Sequence, residues 1–365
     1  FKLKMSLYVD RKLWALGLFD YPFLESLNYS YFCWMDSFTQ IALGIAIVEV
    51  CAGKKLKNKT FLYGTILGTI PDLDIVVGLF LNPVDAVLIH RGISHSLFLF
   101  LFLSPFLGWI ISKIERDKIN FIQSSAMVFC CLFTHVLLDM FTSWGTQILW
   151  PLNYRFALKT IFVIDLLYTI PLVIAMIMIW KTKDAVLREK YVIRGLFISS
   201  FYLLLSCLFK VYALNKFEKA LTKQGIQYSE IIVKPTAFNL ILWNVNVATA
   251  NNYLLGDYSL LDTQPISFIG YNRNRVLESQ LTGNSDFEKL KKASEGWYII
   301  SQKNKSLYFN DLRFGLLNDN PQNPQFAFSY QFVSNDSGLH AIEVPKSKRD
   351  GKRLLQKIFT RLKGN

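Results

Sequence analysis

Imidazole and carboxylate side chains recur in three separate stretches of the first 140 residues. The chain contains four His, and three of them belong to these stretches. Together with nearby acids, the candidate residues are Asp72, Asp74, His90, His95, His135 and Asp139. His135 and Asp139 are spaced i, i+4, which on a helix directs both side chains to one face. If the fold brings the three stretches together, these side chains can bind a cation.

Zinc and similar divalent ions take imidazole and carboxylate ligands where thiolates are absent. A bound ion can lower the pKa of its water to about 7, which generates hydroxide at neutral pH. Two ions would suit phosphodiester cleavage, because they stabilise the attacking and the leaving oxygen together. The ligand count does not distinguish one ion from two. We predict a divalent metal site, with zinc as the expected ion and Asp72, His135 and Asp139 as catalytic residues.

Each candidate also has an ordinary structural explanation. A single His near a helix end commonly lies at an interface, and an isolated Pro-Asp-x-Asp segment commonly forms a turn. Asp139 could cap a helix or pair with Arg91. The concentration of the His residues beside acids is what favours a metal site over these separate explanations.

Four further polar residues are predicted to assist the site. Arg91 and Arg155 could hold a substrate phosphate through bidentate hydrogen bonds, although Arg155 could instead pair with Asp165. Ser94 and Ser96 could donate hydrogen bonds that orient the imidazole rings. Neither serine lies in a nucleophile-elbow sequence, so we reject a serine hydrolase.

The segments that must position these groups are strongly apolar. Hydrophobic residues make up 52% of the chain and charged residues 18%, and the apolar runs concentrate before residue 215. This excludes a disordered chain, a collagen-like repeat, a disulfide-stapled miniprotein and an ordinary soluble enzyme. A helix needs about 20 mainly apolar residues to cross a bilayer. Runs near this length are 96–114, 121–141, 161–180 and 191–214, and two less regular runs are 38–52 and 61–81. We predict an α-helical polytopic membrane domain with five to six spans.

The loops between these runs differ in charge. Three of them, near residues 54–59, 113–118 and 181–194, are rich in Lys and Arg. Such loops favour the cytoplasm, and with six spans all three fall on one side. The His and Asp stretches and everything after residue 214 then face outward. Glu49 is predicted near the inner face, with a structural or proton-handling role away from the metal site.

The chain divides into three predicted parts. Residues 1–34 show no signal-peptide pattern, so we expect an extension upstream of a natural start at Met35, or alternatively an amphipathic segment. Residues 35–214 form the membrane domain. Residues 215–365 have a soluble composition with alternating apolar runs, which predicts an extracytoplasmic α+β domain with an antiparallel sheet. Its single His, His340, is expected to be structural or at the surface.

The end of the chain combines basic and apolar side chains. Basic residues between Lys346 and Lys363 surround apolar residues, from Leu354 to Leu362, that share one helical stripe. A helix of this kind lies on anionic headgroups, and nucleic-acid binding is the competing interpretation. Because the tail is predicted outside the cytoplasm, membrane lipids are the expected partners and nucleic acid is not.

Three motifs resemble those of the YdjM-like inner-membrane metal-dependent hydrolases. They are Pro71-Asp72-Leu73-Asp74, His90-Arg91-Gly92-Ile93-Ser94-His95-Ser96 and Thr134-His135-Val136-Leu137-Leu138-Asp139. Gly145-Thr146, Trp150-Pro151 and Arg155 continue the match, and the segment 308–315 is similar to the longer bacterial members. The resemblance implies a metal-dependent hydrolase of the bacterial inner membrane, without a defined substrate.

One position departs from the family pattern. Some members carry a His near the start of the domain, where this chain has Gln40. Gln40 could orient a metal-bound water, or Asp36 could substitute as a ligand. The His-x-x-x-Asp spacing of His135 and Asp139 is also similar, more distantly, to zinc-dependent phospholipase C and related nucleases.

Three functions are consistent with these patterns. The first is a hydrolase that acts on a phosphate ester or a lipid-linked substrate. The second is an ion or proton transporter that uses the same His and Asp residues, although no inverted repeat is visible and the residues lie toward one face. The third is a membrane-anchored binding module whose function resides in residues 215–365.

Overall fold

The computed structural model describes residues 22–318, 323–336, 338–345 and 351–365. Of the predicted N-terminal extension, residues 1–21 lie outside the described part. Side chains are described from Ser37 onward, so Asp36, the proposed substitute ligand, also lies outside it. The first helix of the described part begins at Pro22 and continues across the predicted boundary at Met35.

The membrane half consists mainly of α-helices. They are α1 Pro22–Leu56, α2 Lys59–Thr69, α3 Asp74–Gly78, α4 Pro83–Ile89, α5 Leu97–Glu115, α6 Phe121–Phe141, α7 Leu166–Lys181 and α8 Ala185–Lys223. Short 3-10 turns lie at Pro71–Leu73, Ile93–His95 and Arg116–Lys118. Two of these turns carry predicted site residues.

Within the described residues, four helical segments are long and apolar enough to cross a membrane. They are Ser37–Leu56 in α1, and α5, α6 and α8. A fifth results if α2 and the segment Pro71–Gly78, which meet at 48°, form one bent span. Helix α7 is apolar, but its 16 residues are fewer than the about 20 that a membrane span needs. The structure therefore supports four or five spans, where the sequence predicts five to six.

The bend after α2 positions two acids. Proline lacks an N–H donor and its ring clashes with the preceding helical turn, so α2 ends at Thr69 and a 3-10 turn begins at Pro71. Asp72 lies in this turn, and Asp74 is the first residue of α3. Both carboxylates therefore lie at the end of a broken helix, where neighbouring loops can reach them.

Two glycines of α2 allow α1 to approach closely. A Cβ atom at Gly64 would lie 2.3 Å from the Cα of Ile45, and one at Gly68 would lie 2.7 Å from the carbonyl oxygen of Gln40. Small residues permit such backbone contacts between membrane helices. The contact places Gln40 beside Gly68, at the end of α2 that leads into Asp72.

Charged residues mark the opposite end of the bundle. The ammonium of Lys59 lies 2.6 Å from Glu115. Arg188 forms a buried bidentate pair with Glu49, with N–O distances of 2.6 and 2.7 Å, and Thr60 donates a further hydrogen bond to Glu49. Glu49 thus lies at the lysine-rich end, as predicted, and serves as the acid of a buried ion pair that joins α1 to α8.

The C-terminal part contains two four-stranded antiparallel sheets instead of one. The first comprises β1 Glu230–Pro235, β2 Leu242–Ala248, β3 Asn252–Ser259 and β4 Phe268–Asn272, and the second comprises β5 Tyr298–Lys303, β6 Ser306–Leu316, β7 Phe326–Asn335 and β8 Gly338–Glu343. Helices α9, Arg275–Ser279, and α10, Ser285–Ala293, connect them. Each sheet pairs its strands in chain order, so local hairpins account for the topology.

Two helices of the membrane half enter the cores of these sheets. Helix α8 has 39 residues, about 58 Å of helix, and its Phe217 and Leu221 are buried against Trp243 of the first sheet. Helix α4 places Val84 and Val87 in the core of the second sheet. The sheets are therefore packed onto the bundle at the end where α4 leads into His90.

The predicted C-terminal helix is α11, Gly351–Leu362. Arg361 holds it against the first sheet through Asp257, at 2.6 Å, and Asp262. Phe359 remains exposed. Residues 346–350 of the basic tail lie outside the described part.

Candidate metal centre

Four of the six predicted ligands converge on one point. The turn after Pro71 contributes Asp72, the turn before α5 contributes His95, and α6 contributes His135 and Asp139. One ligand atom from each of these residues lies within 4.8 Å of the others. Residues far apart in sequence thus meet at one end of the bundle.

The spacing of the ligand atoms matches a tetrahedral ion. Nε2 of His95 lies 3.2 Å from Oδ2 of Asp139 and 3.4 Å from Oδ1 of Asp72. Nε2 of His135 lies 3.5 Å from Asp72 and 3.6 Å from Asp139. Ligands about 2.0–2.2 Å from a tetrahedral ion would lie about 3.3–3.6 Å from one another. These four imidazole–carboxylate distances therefore fit one tetrahedrally coordinated ion.

The same atoms lack other partners. Nε2 of His95, Nε2 of His135 and Oδ2 of Asp139 are buried and have no hydrogen-bond partner among the described residues. A buried polar atom without a partner costs about 1–3 kcal/mol. A cation at the centre of the cluster would satisfy all three atoms.

Hydrogen bonds on the outer side of the rings fix their orientation. Nδ1 of His135 lies 2.8 Å from the carbonyl oxygen of Gly68, so this nitrogen carries the proton and Nε2 has a free lone pair. Nδ1 of His95 lies 2.9 Å from Oγ of Ser94, which donates to Asp74 at 2.8 Å. Such partners orient metal-binding imidazoles.

The second oxygen of Asp139 is held by two other residues. Gln40 donates from Nε2 to Oδ1 of Asp139 at 2.9 Å and to the carbonyl oxygen of His135 at 3.2 Å. Nη2 of Arg91 lies 3.2 Å from the same Oδ1. Oδ1 is therefore occupied, and Oδ2 is left to face the cluster. Gln40 orients an acid of the site.

Asp74 and His90, which the sequence predicts as ligands, lie beside the cluster of four. Oδ1 of Asp74 lies 3.2 Å from Nδ1 of His90, and its Oδ2 accepts a hydrogen bond from the backbone N–H of Arg91 at 2.8 Å. Arg91 adopts a left-handed backbone conformation, with φ of 57°. The ring of His90 is a neighbour of that of His95, with the centroids 6.3 Å apart, but Asp74 and His90 contact each other and the loop and lie outside the cluster of four.

The structure also assigns contacts to the remaining candidates. Arg91 is buried and donates to Thr142 at 3.1 Å in addition to pairing with Asp139. Ser96 donates to Ile93 and accepts from Leu99, which makes it the N-cap of α5. The structure therefore contains the ion pair between Arg91 and Asp139 that the sequence analysis gave as an alternative. The hydrogen bonds of Ser96 are made to the backbone and not to an imidazole.

Arg155 lies next to the loop that carries His90. Its Nη2 donates to the carbonyl oxygens of Leu88 and His90 at 3.0 and 2.9 Å. Burial, and secondly the nearby guanidinium of Arg313, lower the pKa of Arg155 to about 10. Asp165 instead caps α7 and accepts from Tyr202. The predicted alternative pair between Arg155 and Asp165 is not formed.

Trp144 and Arg313 lie beside the site, and Arg313 was not predicted for it. The ring centroid of Trp144 lies 5.7 Å from that of His90, and the guanidinium of Arg313 lies 5.5 Å from the Trp144 ring. Arg313 belongs to the segment 308–315. The similarity of this segment to longer family members is the sequence feature that could have pointed to Arg313. The side chain of His340 is 46% exposed, as expected for a surface residue. His340 does not belong to the cluster of four.

Comparison with known proteins agrees with the membrane half of the chain. Residues 35–216 match the family model described as YdjM inner membrane protein. The matched range includes every residue of the cluster of four. No curated protein and no solved structure gives a significant match to the chain.

Proposed function

Residues 35–216 belong to the YdjM inner membrane protein family, and on this premise we propose that the protein is a membrane-bound, metal-dependent hydrolase. The observation that carries the proposal is the convergence of Asp72, His95, His135 and Asp139, with three of their ligand atoms buried and otherwise without partners. Two imidazoles and two carboxylates suit zinc.

The chain's own residues would hold and orient the reacting groups. His95, His135 and Asp139 would hold the ion and leave a position for water, whose pKa the bound ion would lower to about 7 while it polarises the substrate. Asp72 has 9% of its side chain exposed, whereas the other three ligands are almost fully buried. Water and substrate therefore approach from the side of Asp72, and its carboxylate would take the proton of the attacking water. His135 and Asp139 would hold the ion opposite this opening.

A phosphate ester or lipid-linked molecule is the proposed substrate class. The site lies at one end of a membrane-embedded bundle, so a molecule that resides in the bilayer can reach it. Arg155 lies beside the loop of His90 and would contact a phosphate or other anionic group of the substrate, whereas Arg91 is engaged by Asp139. The basic loops at the opposite end favour the cytoplasm, which would place the site and the two sheets outside it.

Metal analysis of the purified full-length protein tests the proposal. We expect about one zinc-like ion per chain, and loss of that ion in His135→Ala and in Asp139→Asn. His340→Ala is the matched control, since it removes an exposed imidazole outside the cluster. Retention of the metal by both site variants would contradict the assignment.

Turnover requires a separate measurement. Wild-type protein loaded with different divalent ions would be assayed against phosphomonoesters, phosphodiesters and lipid-linked esters. Hydrolysis that disappears in His135→Ala supports the proposal. Metal binding combined with uptake of ions into proteoliposomes, and with no ester cleavage, would favour a transporter instead.

A further inference from the structure

The second sheet is fixed against the helix that leads into His90. Val84 and Val87 of α4 are 1% and 5% exposed and lie in the core of the second sheet. Lys289 of α10 lies 2.6 Å from Asp85 on the same helix. Because His90 directly follows α4, the C-terminal domain helps to position one wall of the candidate metal centre.

Aromatic residues continue this wall from the bundle into the second sheet. The ring of Trp144 lies 4.9 Å from that of Phe314 and 6.0 Å from that of Phe328. Its other neighbour is His90, at 5.7 Å. Trp144 thus lies between the loop of His90 and the strands β6 and β7, and Arg313 lies over its ring.

The charges at this junction do not balance. Four cations, Arg155, Lys159, Lys234 and Arg313, lie near two carboxylates, Asp311 and Glu295, and Arg91 and Asp74 add one charge of each sign beside Arg155. Lys234 donates to the carbonyl oxygens of Leu312 and Arg313. Burial lowers the pKa of Lys234 to about 7, as expected for positive charge without a full set of counter-charges.

Both arginines retain donor capacity. Nη1 of Arg155 is buried and has no hydrogen-bond partner among the described residues. Asp311 binds Nε and Nη2 of Arg313, with Nη2 at 2.8 Å, while Nη1 of Arg313 lies 3.6 Å from Glu295, beyond hydrogen-bond distance. An oxyanion between them would supply the missing acceptor and the missing negative charge.

We propose that Arg155 and Arg313, which both lie beside the contact between His90 and Trp144 at the junction of the membrane half and the second sheet, form a subsite for an oxyanion carried by the substrate. The identification of this ligand as substrate rests on the proposed function. The substrate would then carry a second anionic group, a phosphate or a carboxylate, beside the ester that is cleaved. Trp144 and Phe314 would contact the apolar part of the substrate next to this anionic group. The C-terminal domain is thereby a component of the site.

Binding of inorganic pyrophosphate tests the subsite without turnover. The full-length protein in detergent would be titrated calorimetrically, both metal-loaded and after the metal and the chelator have been removed. We expect binding in both states, because the arginines do not depend on the ion. Arg155→Gln should weaken it about tenfold, since a charge-assisted contact of Nη1 is lost.

Arg313 requires a paired substitution. Removing it alone would leave the buried Asp311 without a counter-charge, so Arg313→Gln is combined with Asp311→Asn, and an about tenfold loss is again expected. Arg194→Gln, an exposed arginine of α8 at the opposite end of the bundle, is the matched control and should not change the affinity. If the double variant does not fold, the Arg155→Gln result decides.

The outcomes separate this inference from the proposed function. Equal affinity of wild type and Arg155→Gln for pyrophosphate, or no binding to the metal-free wild type, overturns the subsite. Neither result changes the metal content of the wild type, on which the proposed function depends. Conversely, the metal analysis could contradict the metal site while pyrophosphate binding persists and still depends on the arginines. The protein would then have an anion-binding site but would not be a metal-dependent hydrolase.

Discussion

Nε2 of Gln40 donates a hydrogen bond to Oδ1 of Asp139 across 2.9 Å. The two residues are 99 positions apart, and both are buried. Since Oδ1 is occupied by this contact and by Arg91, Asp139 can offer only Oδ2 to an ion. The glutamine that departs from the family pattern thus supports a ligand of the proposed centre.

Gln40→Ala should weaken metal binding. Its loss removes one of the two contacts that hold Oδ1 of Asp139 and leaves the carboxylate less well oriented, and such supporting contacts typically contribute 10–100-fold to affinity. Competition with a metal-sensitive dye would measure the change. Gln123→Ala removes a glutamine at the opposite end of the bundle, where it contacts Lys55 and Cys51, and should leave the affinity unchanged. Equal losses in both variants would indicate a general effect on folding.

Gly68→Ala should disturb the candidate metal centre, although Gly68 is not one of the four ligands. The new Cβ would lie 2.7 Å from the carbonyl oxygen of Gln40, so α1 and α2 must separate and the hydrogen bond from His135 to Gly68 must change. Overpacking of this kind costs about 1–3 kcal/mol. We expect lower thermal stability together with reduced metal content. Gly270→Ala, whose nearest contact is the flexible end of Leu254 at 3.4 Å, is the control, and an equal loss of metal there would contradict this argument.

The pair between Glu49 and Arg188 should contribute to stability and not to metal binding. Arg188→Ala leaves a buried carboxylate without its partner, which costs about 3–5 kcal/mol. Lys54→Ala breaks the exposed pair with Glu189 and should cost at most about 1 kcal/mol. Chemical unfolding in detergent would compare the two. A small effect of Arg188→Ala, or metal loss at full stability, would assign the pair a different role.

Lys234 should make the stability of the protein depend on pH. Burial lowers the pKa of Lys234 to about 7 in the folded chain, below the usual value near 10.4. Between these values the unfolded chain binds more protons, so stability rises with pH, by at most about 1.4 kcal/mol per pH unit, and below pH 7 the contribution is constant. Melting temperatures between pH 6 and 10 should rise less in Lys234→Met than in the wild type.

Lys303→Met provides the control for this measurement, because Lys303 lies exposed in the hairpin between β5 and β6. Its melting temperature should follow pH as in the wild type. A wild-type profile that falls from pH 7 to pH 9, after correction with Lys234→Met, would reverse the assigned sign.

The amino-acid sequence alone determined the helical character of the membrane half, since long apolar runs and the i, i+4 pair of His135 and Asp139 depend only on composition and helical period. It also determined which side chains could bind a metal. Strand pairing in the C-terminal part followed local hairpins, which short-range patterns predict.

The tertiary structure decided which candidates meet. The contact at Gly68 aligned Gln40 and His135, and the contacts of Asp74 with His90 and with the backbone of Arg91 left this pair beside the cluster of four. It also brought Arg313, more than 150 residues from Arg155, to the same junction. Periodicity specifies which face of an element is buried, but it does not specify which other element covers that face. That choice depends on packing between elements that are distant in sequence, and only the folded chain contains it.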